Sequence, residues 1–161
     1  MSVRTGIGYD SHRFAQGGPM RLGGVDIPGD LRLSGHSDGD AICHAVTDAL
    51  LGAASLGDIG ALFPDTDAAN KDRDSIEMLG LALDRLRERG FRVVNVDVTV
   101  IAERPRIGPH RDAIRARLAA TLGISVDAVS VKGKTNEGMG WVGRGEGLAC
   151  IAVASVLGPD G

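Results

Sequence analysis

The stretch that most constrains the fold lies near the end of the chain, where residues 148–157 read Leu-Ala-Cys-Ile-Ala-Val-Ala-Ser-Val-Leu. A strand sends alternate side chains to opposite faces, so a strand that is apolar on both faces apart from Ser155 needs both faces of its sheet covered. Three helical stretches can be read elsewhere, too few to cover both faces of a mixed sheet of about four strands. The expected fold is α+β, a two-layer α/β arrangement with the helices on one face. The other face is then covered by another copy of the chain. The competing reading is a central strand fully buried in a monomer.

The 161 residues fit one domain spanning 1–161, long enough for its own core. Hydrophobic residues make up 43% and charged residues 24%, an ordinary globular balance without a bias to disorder. A formal net charge of −3 gives no reason to expect nucleic acid, whose phosphates are bound by excess Lys and Arg. No apolar run is long enough to span a bilayer, and residues 1–20 lack the basic-then-apolar order of a signal peptide, so no membrane association and a cytoplasmic location are expected. Cys43 and Cys150 sit among apolar neighbours without metal-type spacing and read as reduced, packed side chains. The 24 glycines are unusual. Those at 57–60 and 138–147 read as tight turns or as places where backbone approaches a ligand closely.

The elements follow from punctuation and period. Residues 17–33 alternate and carry turn residues, which predicts a small exposed hairpin. A helix opens at Asp38, with Ile42, Ala45, Val46, Ala49, Leu50 and Ala53 on its packing face. Asp74-Ser75-Ile76-Glu77 resembles a capping box ahead of a helix carrying Ile76, Leu79, Leu83 and Leu86. Residues 92–101 alternate strictly, which sends Val94, Val96, Val98 and Val100 to the core. A loop closed by Pro105 leads to a helix from Pro109 carrying Ile114, Leu118 and Leu122 and stopped by Gly123. Residues 128–134 form a strand before Thr135-Asn136-Glu137.

The chemistry-bearing residues fall at the ends of these elements. Asp40, His44 and Asp48 are one helical turn apart, so a carboxylate on either side could orient the imidazole of His44. If the strand over 3–9 continues, Asp10 and His12 point to the same side. Together with His44 they supply ligands for a tetrahedral divalent ion with a position left open, a set that suits zinc without excluding manganese, cobalt or iron. His36 and Ser37 precede a helix N-terminus, which favours anions. Gly57-Asp58-Ile59-Gly60 and Phe63-Pro64-Asp65-Thr66-Asp67 make a glycine- and acid-bearing loop that reads as a solvated turn or as acceptors for a polyol. No Ser-His-Asp or Cys-His nucleophile set can be read.

The runs Gly8-Tyr9-Asp10-Ser11-His12, His36-Ser37-Asp38-Gly39-Asp40, His44 to Ala53, Gly57 to Gly60, Phe63 to Asp67 and Gly143-Arg144-Gly145-Glu146-Gly147 together resemble the 2-C-methyl-D-erythritol 2,4-cyclodiphosphate synthase family. The likeness covers nearly the whole chain, in order. It implies a phosphorus-oxygen lyase of non-mevalonate isoprenoid (terpenoid) biosynthesis, which converts 4-diphosphocytidyl-2-C-methyl-D-erythritol 2-phosphate to the 2,4-cyclodiphosphate and releases CMP. It also implies a homotrimer whose sheets face the threefold axis, with active sites between neighbouring subunits.

By the same resemblance, Asp10, His12 and His44 hold a zinc-type ion, and Glu137 ligates magnesium or manganese at the substrate phosphates. His36 and Thr135 stabilise the transition state. Ser37, Asp58, Ile59 and Gly60, closed by Phe63, Pro64, Asp65, Thr66 and Asp67, hold the erythritol and its 2-phosphate. Ala102, Glu103, Arg104, Pro105, Arg106, Ile107 and Gly108 of an adjacent subunit read cytosine, largely through backbone groups, and Lys134, Thr135, Asn136 and Glu137 border the phosphates. An apolar axial cavity rimmed by Trp141, Arg144 and Glu146 can lodge an isoprenoid diphosphate, although Arg144 and Glu146 could equally form an inter-subunit ion pair.

The chain departs from the family pattern at Lys134, where a small hydroxyl residue is common, at Glu103 and Arg106, where Gln and Lys are usual, and at Trp141, where Phe is common. Two other functions share the same inventory: a metal-dependent phosphohydrolase, and a non-enzymatic trimer that binds metal or an isoprenoid diphosphate.

Overall fold

The computed structural model describes residues 1–160. Its longest strand, β1 (Ser2–Gln16), opens the chain and sets how the two layers meet. The even-numbered residues of β1 face the helices, and two of these, Gly6 and Gly8, carry no side chain. Helix α1 (Ala41–Ala53) lies directly over them. A Cβ at Gly6 would sit 2.0 Å from the carbonyl oxygen of Ala49, and one at Gly8 would sit 1.9 Å from that of Ala45. The glycines therefore let helix backbone rest on strand backbone.

The main sheet has five strands in the order β4-β1-β7-β5-β6, formed by β4 (Leu31–Leu33), β5 (Arg92–Ile101), β6 (Val129–Lys134) and β7 (Gly147–Gly158) beside β1. Strand β7 is central and antiparallel to both β1 and β5, whereas β5 and β6 are parallel. A parallel pair needs a crossover, and α4 (Arg111–Leu122) supplies it. Register aligns Asp10 with Cys150, Cys150 with Val100 and Val100 with Gly133, so the C-terminal ends of β1, β5 and β6 gather at one end of the sheet.

The helices α1, α3 (Ser75–Glu88) and α4 cover one face, and their buried residues join the strand side chains in one core. The predicted mixed sheet with helices on one face is what forms. The additional strand is β4, too short to stand out by alternation. The other sheet face has no cover among the described residues: Val3, Ile7, Tyr9 and Val153 are exposed there, Ile7 at 71%. Strand β7 is thus central in its sheet yet open on one side. No helix among the described residues is long and apolar enough to cross a membrane.

Several local expectations are corrected. The hairpin of β2 (Met20–Leu22) and β3 (Val25–Ile27) is not an exposed flap, since Met20, Leu22 and Ile27 are buried in the core. Helix α1 begins at Ala41, not Asp38, because Asp40 is its N-cap. In β5 a bulge between Val93 and Asn95 shifts the phase by one residue, so Val93 is buried and Val94 is 44% exposed, while Val96, Val98 and Val100 face the core as expected. Helix α3 is capped by Asp74, whose carboxylate accepts from the Ile76 N–H at 2.8 Å, while Glu77 pairs with Arg73 instead of completing a box. Gly123 ends α4 in the left-handed conformation, at φ 68°, as its position predicts.

Candidate metal centre

Extension of β1 past Tyr9 turns Asp10 and His12 to the helix face, in line with Gly6 and Gly8. The close approach at those glycines brings His44, in the first turn of α1, onto the same spot. There Asp10 Oδ2 lies 2.8 Å from His12 Nε2 and 3.2 Å from His44 Nδ1, and the two nitrogens are 3.3 Å apart. Ligands about 2.0–2.1 Å from a tetrahedral ion stand roughly 3.3 Å from one another, so two imidazoles and one carboxylate at this spacing fit a divalent ion with a fourth position left over. Asp10, His12 and His44 are the one group of at least three acid, histidine or cysteine side chains among the described residues whose ligand atoms converge in this way.

Asp10 and His12 shift each other in opposite directions. Burial raises the Asp10 carboxyl, but hydrogen bonds from His12 and His44 and their charge outweigh it and hold the pKa below its ordinary value. Burial lowers His12, yet the Asp10 hydrogen bond, the Asp10 charge and the Ser34 carbonyl together raise it. His12 Nδ1 donates to Ser34 O at 2.7 Å, which leaves Nε2 bare toward the cluster. His44 Nε2 lies 2.8 Å from Ser75 Oγ and 3.0 Å from Ser37 Oγ.

The carboxylates expected to orient His44 do other work. Asp40 is fully buried and accepts the N–H groups of Cys43, Gly23 and Gly24 at 3.0, 2.8 and 2.7 Å, tying the β2–β3 turn to the start of α1. Burial pushes its pKa up against those three bonds. Asp48 accepts the Ile59 N–H at 2.7 Å and anchors the following loop. Ser75 and Asp38 were missed as neighbours of the centre. Ser75 lies inside the apparent capping box, and nothing in its spacing reveals that α3 delivers it to His44.

The remaining candidates divide among three places. His36 is exposed before α1, with its carbonyl accepting the Asp72 N–H, and Ser37 faces the cluster. Asp58 caps α2 (Ile59–Leu62) through the Ala61 N–H at 2.8 Å, and Gly60 lies in that turn of helix. Phe63 is buried, Pro64, Asp65, Thr66 and Asp67 are exposed, and Asp67 accepts the Ala69 N–H at 3.0 Å.

The second place lies two strands across the sheet. A cleft of about 440 Å³ there is lined by Ala102, Glu103, Pro105, Arg106, Ile107, Gly108, Lys134 and Thr135, without the Asp10 cluster. Glu103 Oε1 accepts the N–H groups of Asn136 and Gly138 at 3.1 and 3.2 Å, which tethers the turn carrying Glu137, itself at φ 54°. Arg104 is exposed and lies 3.9 Å from Asp30. Trp141 and Glu146 share a third cleft, of about 210 Å³, with Ser11, His12 and Arg13. Arg144 forks onto Glu146 of its own chain, both nitrogens at 2.9 Å.

A two-layer α+β protein with an acid and two imidazoles converging where β1 meets the first turn of α1 is by class one able to hold a divalent ion. The chain belongs to the YgbB family, whose sequence model matches residues 3–157. It is 68% identical, over 96% of its length and 93% of the relative's, to a protein of Gemmatimonas aurantiaca named 2-C-methyl-D-erythritol 2,4-cyclodiphosphate synthase. Its fold matches that of an IspF of Plasmodium falciparum in complex with CDP, with a TM-score of 0.86 and 34% identity over 98% of this chain and 97% of that one. It also matches the bifunctional IspDF of Campylobacter jejuni with a TM-score of 0.94 and 41% identity, covering 99% of this chain but only 43% of that longer one.

Proposed function

We propose that the chain, as a single catalytic domain, is a phosphorus-oxygen lyase that converts 4-diphosphocytidyl-2-C-methyl-D-erythritol 2-phosphate to 2-C-methyl-D-erythritol 2,4-cyclodiphosphate and CMP in non-mevalonate isoprenoid biosynthesis in the cytoplasm. The observation that carries the proposal is the convergence of Asp10, His12 and His44 in a chain 68% identical to a relative of that name. An oxygen of the 2-phosphate forms a bond to the β-phosphorus of the same molecule. The bond from that phosphorus to the bridging oxygen breaks, and CMP leaves with the electron pair. A phosphate monoester, with a second pKa of about 6, is already largely ionised at neutral pH and needs no general base.

The task left to the protein is to bring two anions together. Asp10, His12 and His44 are suited to a zinc-type ion, and Glu137, a lone exposed carboxylate, to magnesium or manganese completed by phosphates and water; such ions withdraw charge from phosphorus. Ser37, with Asp58 to Gly60 and Phe63 to Asp67, lies on the side suited to the erythritol and its 2-phosphate. His36 and Thr135 serve as exposed donors to the transition state, and Lys134 adds positive charge. The cleft of residues 102–108 suits the cytosine of a substrate spanning two copies, because it does not include the Asp10 cluster of its own chain.

A homotrimer built on the uncovered sheet face brings the two half-sites together and buries Val3, Ile7, Tyr9 and Val153. Ser11 and Arg13 point to that face beside Trp141. An isoprenoid diphosphate lodged on the axis there would have to draw Arg144 away from Glu146.

Phosphorus NMR of the candidate substrate turned over with magnesium tests the reading. A cyclic diphosphate with CMP is expected. A linear bisphosphate with CMP would make the chain a hydrolase, and no CMP with any divalent ion would make it a binding protein.

A further inference from the structure

A metal-bound imidazole is oriented by whatever accepts its other N–H, and in His44 two hydroxyls compete for that single hydrogen. Ser75 Oγ lies 2.8 Å and Ser37 Oγ 3.0 Å from Nε2. The two hydroxyls are not equivalent. Ser75 is fully buried, its hydroxyl donates to Asp38 Oδ1, and its backbone N–H donates to Asp38 Oδ2 at 3.0 Å. With its hydrogen committed to a carboxylate, Ser75 can face His44 only with lone pairs. It therefore accepts the Nε2–H and leaves Nδ1 bare, and Nδ1 is the atom that faces Asp10 and His12. Ser37, half-buried in the loop before α1, has no such commitment, so its hydroxyl stays available to a ligand.

We propose that Ser75, aligned by Asp38, is the positioning residue that fixes His44 as an Nδ1 ligand, a carboxylate–hydroxyl–imidazole relay that frees Ser37 for substrate. Asp38 is held in turn from the hairpin, where Arg21 Nε lies 3.6 Å from its Oδ2. The relay thus links β2, the loop before α1 and the first residue of α3 to one ring nitrogen. It rests on the metal reading of the Asp10 cluster.

Cobalt serves as the probe: the intact protein is stripped of metal and titrated with Co²⁺, with affinity and the visible ligand-field spectrum as readouts and thermal melting by circular dichroism as the control for folding. Ser75→Ala is expected to keep the fold, bind Co²⁺ about 10- to 100-fold more weakly, the usual effect of losing an outer hydrogen-bond partner of a metal ligand, and alter the spectrum. Asp38→Asn is expected to weaken binding in the same direction, and it decides the matter if Ser75→Ala does not fold. Ser37→Ala is expected to leave Co²⁺ affinity unchanged. Ser75→Ala binding Co²⁺ as tightly as the parent, or Ser37→Ala producing the larger loss, overturns the relay alone. A parent protein that binds no Co²⁺ overturns the metal reading and the relay with it.

Discussion

His12 and His44 each present one bare nitrogen to Asp10 because each gives its other nitrogen to a fixed acceptor, Ser34 O in one case and a serine hydroxyl in the other. His12→Ala or His44→Ala is expected to fold, to lose the bound ion by elemental analysis, and to lower CMP release by at least about 10²–10³, the scale of removing one preorganised electrostatic contact. An unfolded variant would show instead that the cluster is a structural element. Asp10 and His12 set a pH dependence. In the metal-free protein the Asp10 pKa is held down and the His12 pKa is raised. The stability from Asp10 is lost as pH falls through its folded pKa, below the ordinary carboxyl value, and that from His12 is lost as pH rises through its folded pKa, above the ordinary imidazole value. Zinc needs the neutral ring, so the rise in melting temperature on adding zinc should grow as pH climbs through the His12 pKa. Melting curves with and without zinc at several pH values check both signs.

At the scale of elements, the centre depends on how closely α1 lies on β1. Gly8→Ala would push a methyl into the carbonyl of Ala45, one residue from His44. Overpacking of this kind costs about 1–3 kcal/mol, or more where backbone is the obstacle. The variant is expected to melt lower and to bind zinc more weakly than its stability loss alone predicts, because the helix lifts His44 away from Asp10. Asp40 ties a second element to the same helix. Asp40→Ala removes a cap worth about 1 kcal/mol and strands two further N–H groups, for a loss of roughly 2–4 kcal/mol. Asp74→Ala, which removes an exposed cap and a long, solvated contact to Arg21, should cost about 1 kcal/mol. Urea denaturation of the two variants would separate a helix cap from a joint between elements.

At the scale of the whole molecule, the sheet is covered by helices on one face and bare on the other, with exposed Val3, Ile7, Tyr9 and Val153. Contiguous apolar surface of this kind marks an interface. Ile7→Asp is expected to convert the proposed trimer to a folded monomer by light scattering, with a near-native melt and no CMP release, because residues 102–108 no longer meet the Asp10 cluster of a neighbour. A monomer of full activity would place the whole site within one chain. The β6 edge is covered from within the chain: Arg111 and Arg115 donate from Nε to the carbonyls of Val131 and Val129 at 2.9 and 2.8 Å.

What the sequence alone determined was whatever depends on neighbours a few positions away. The phase of β1 put Asp10 and His12 on one side, helical period put His44 on a different face of α1 from its apolar residues, and Gly123 ended α4. The ligand cluster, the two-layer fold and the family were legible for that reason, since strand and helix periods are local and the motifs are collinear. Tertiary structure decided the rest. Asp40 and Asp48 flank His44 at the spacing expected for a relay, yet backbone donors from Gly23, Gly24, Cys43 and Ile59 claim them, and Ser75 and Asp38 take that part from 31 and 6 positions away. The bulge that turned Val94 outward, the burial of the β2–β3 hairpin and the closure of Arg144 onto Glu146 were set in the same way. A buried polar group bonds to the donor or acceptor that packing brings within about 3 Å, and separation along the chain does not say which one that will be.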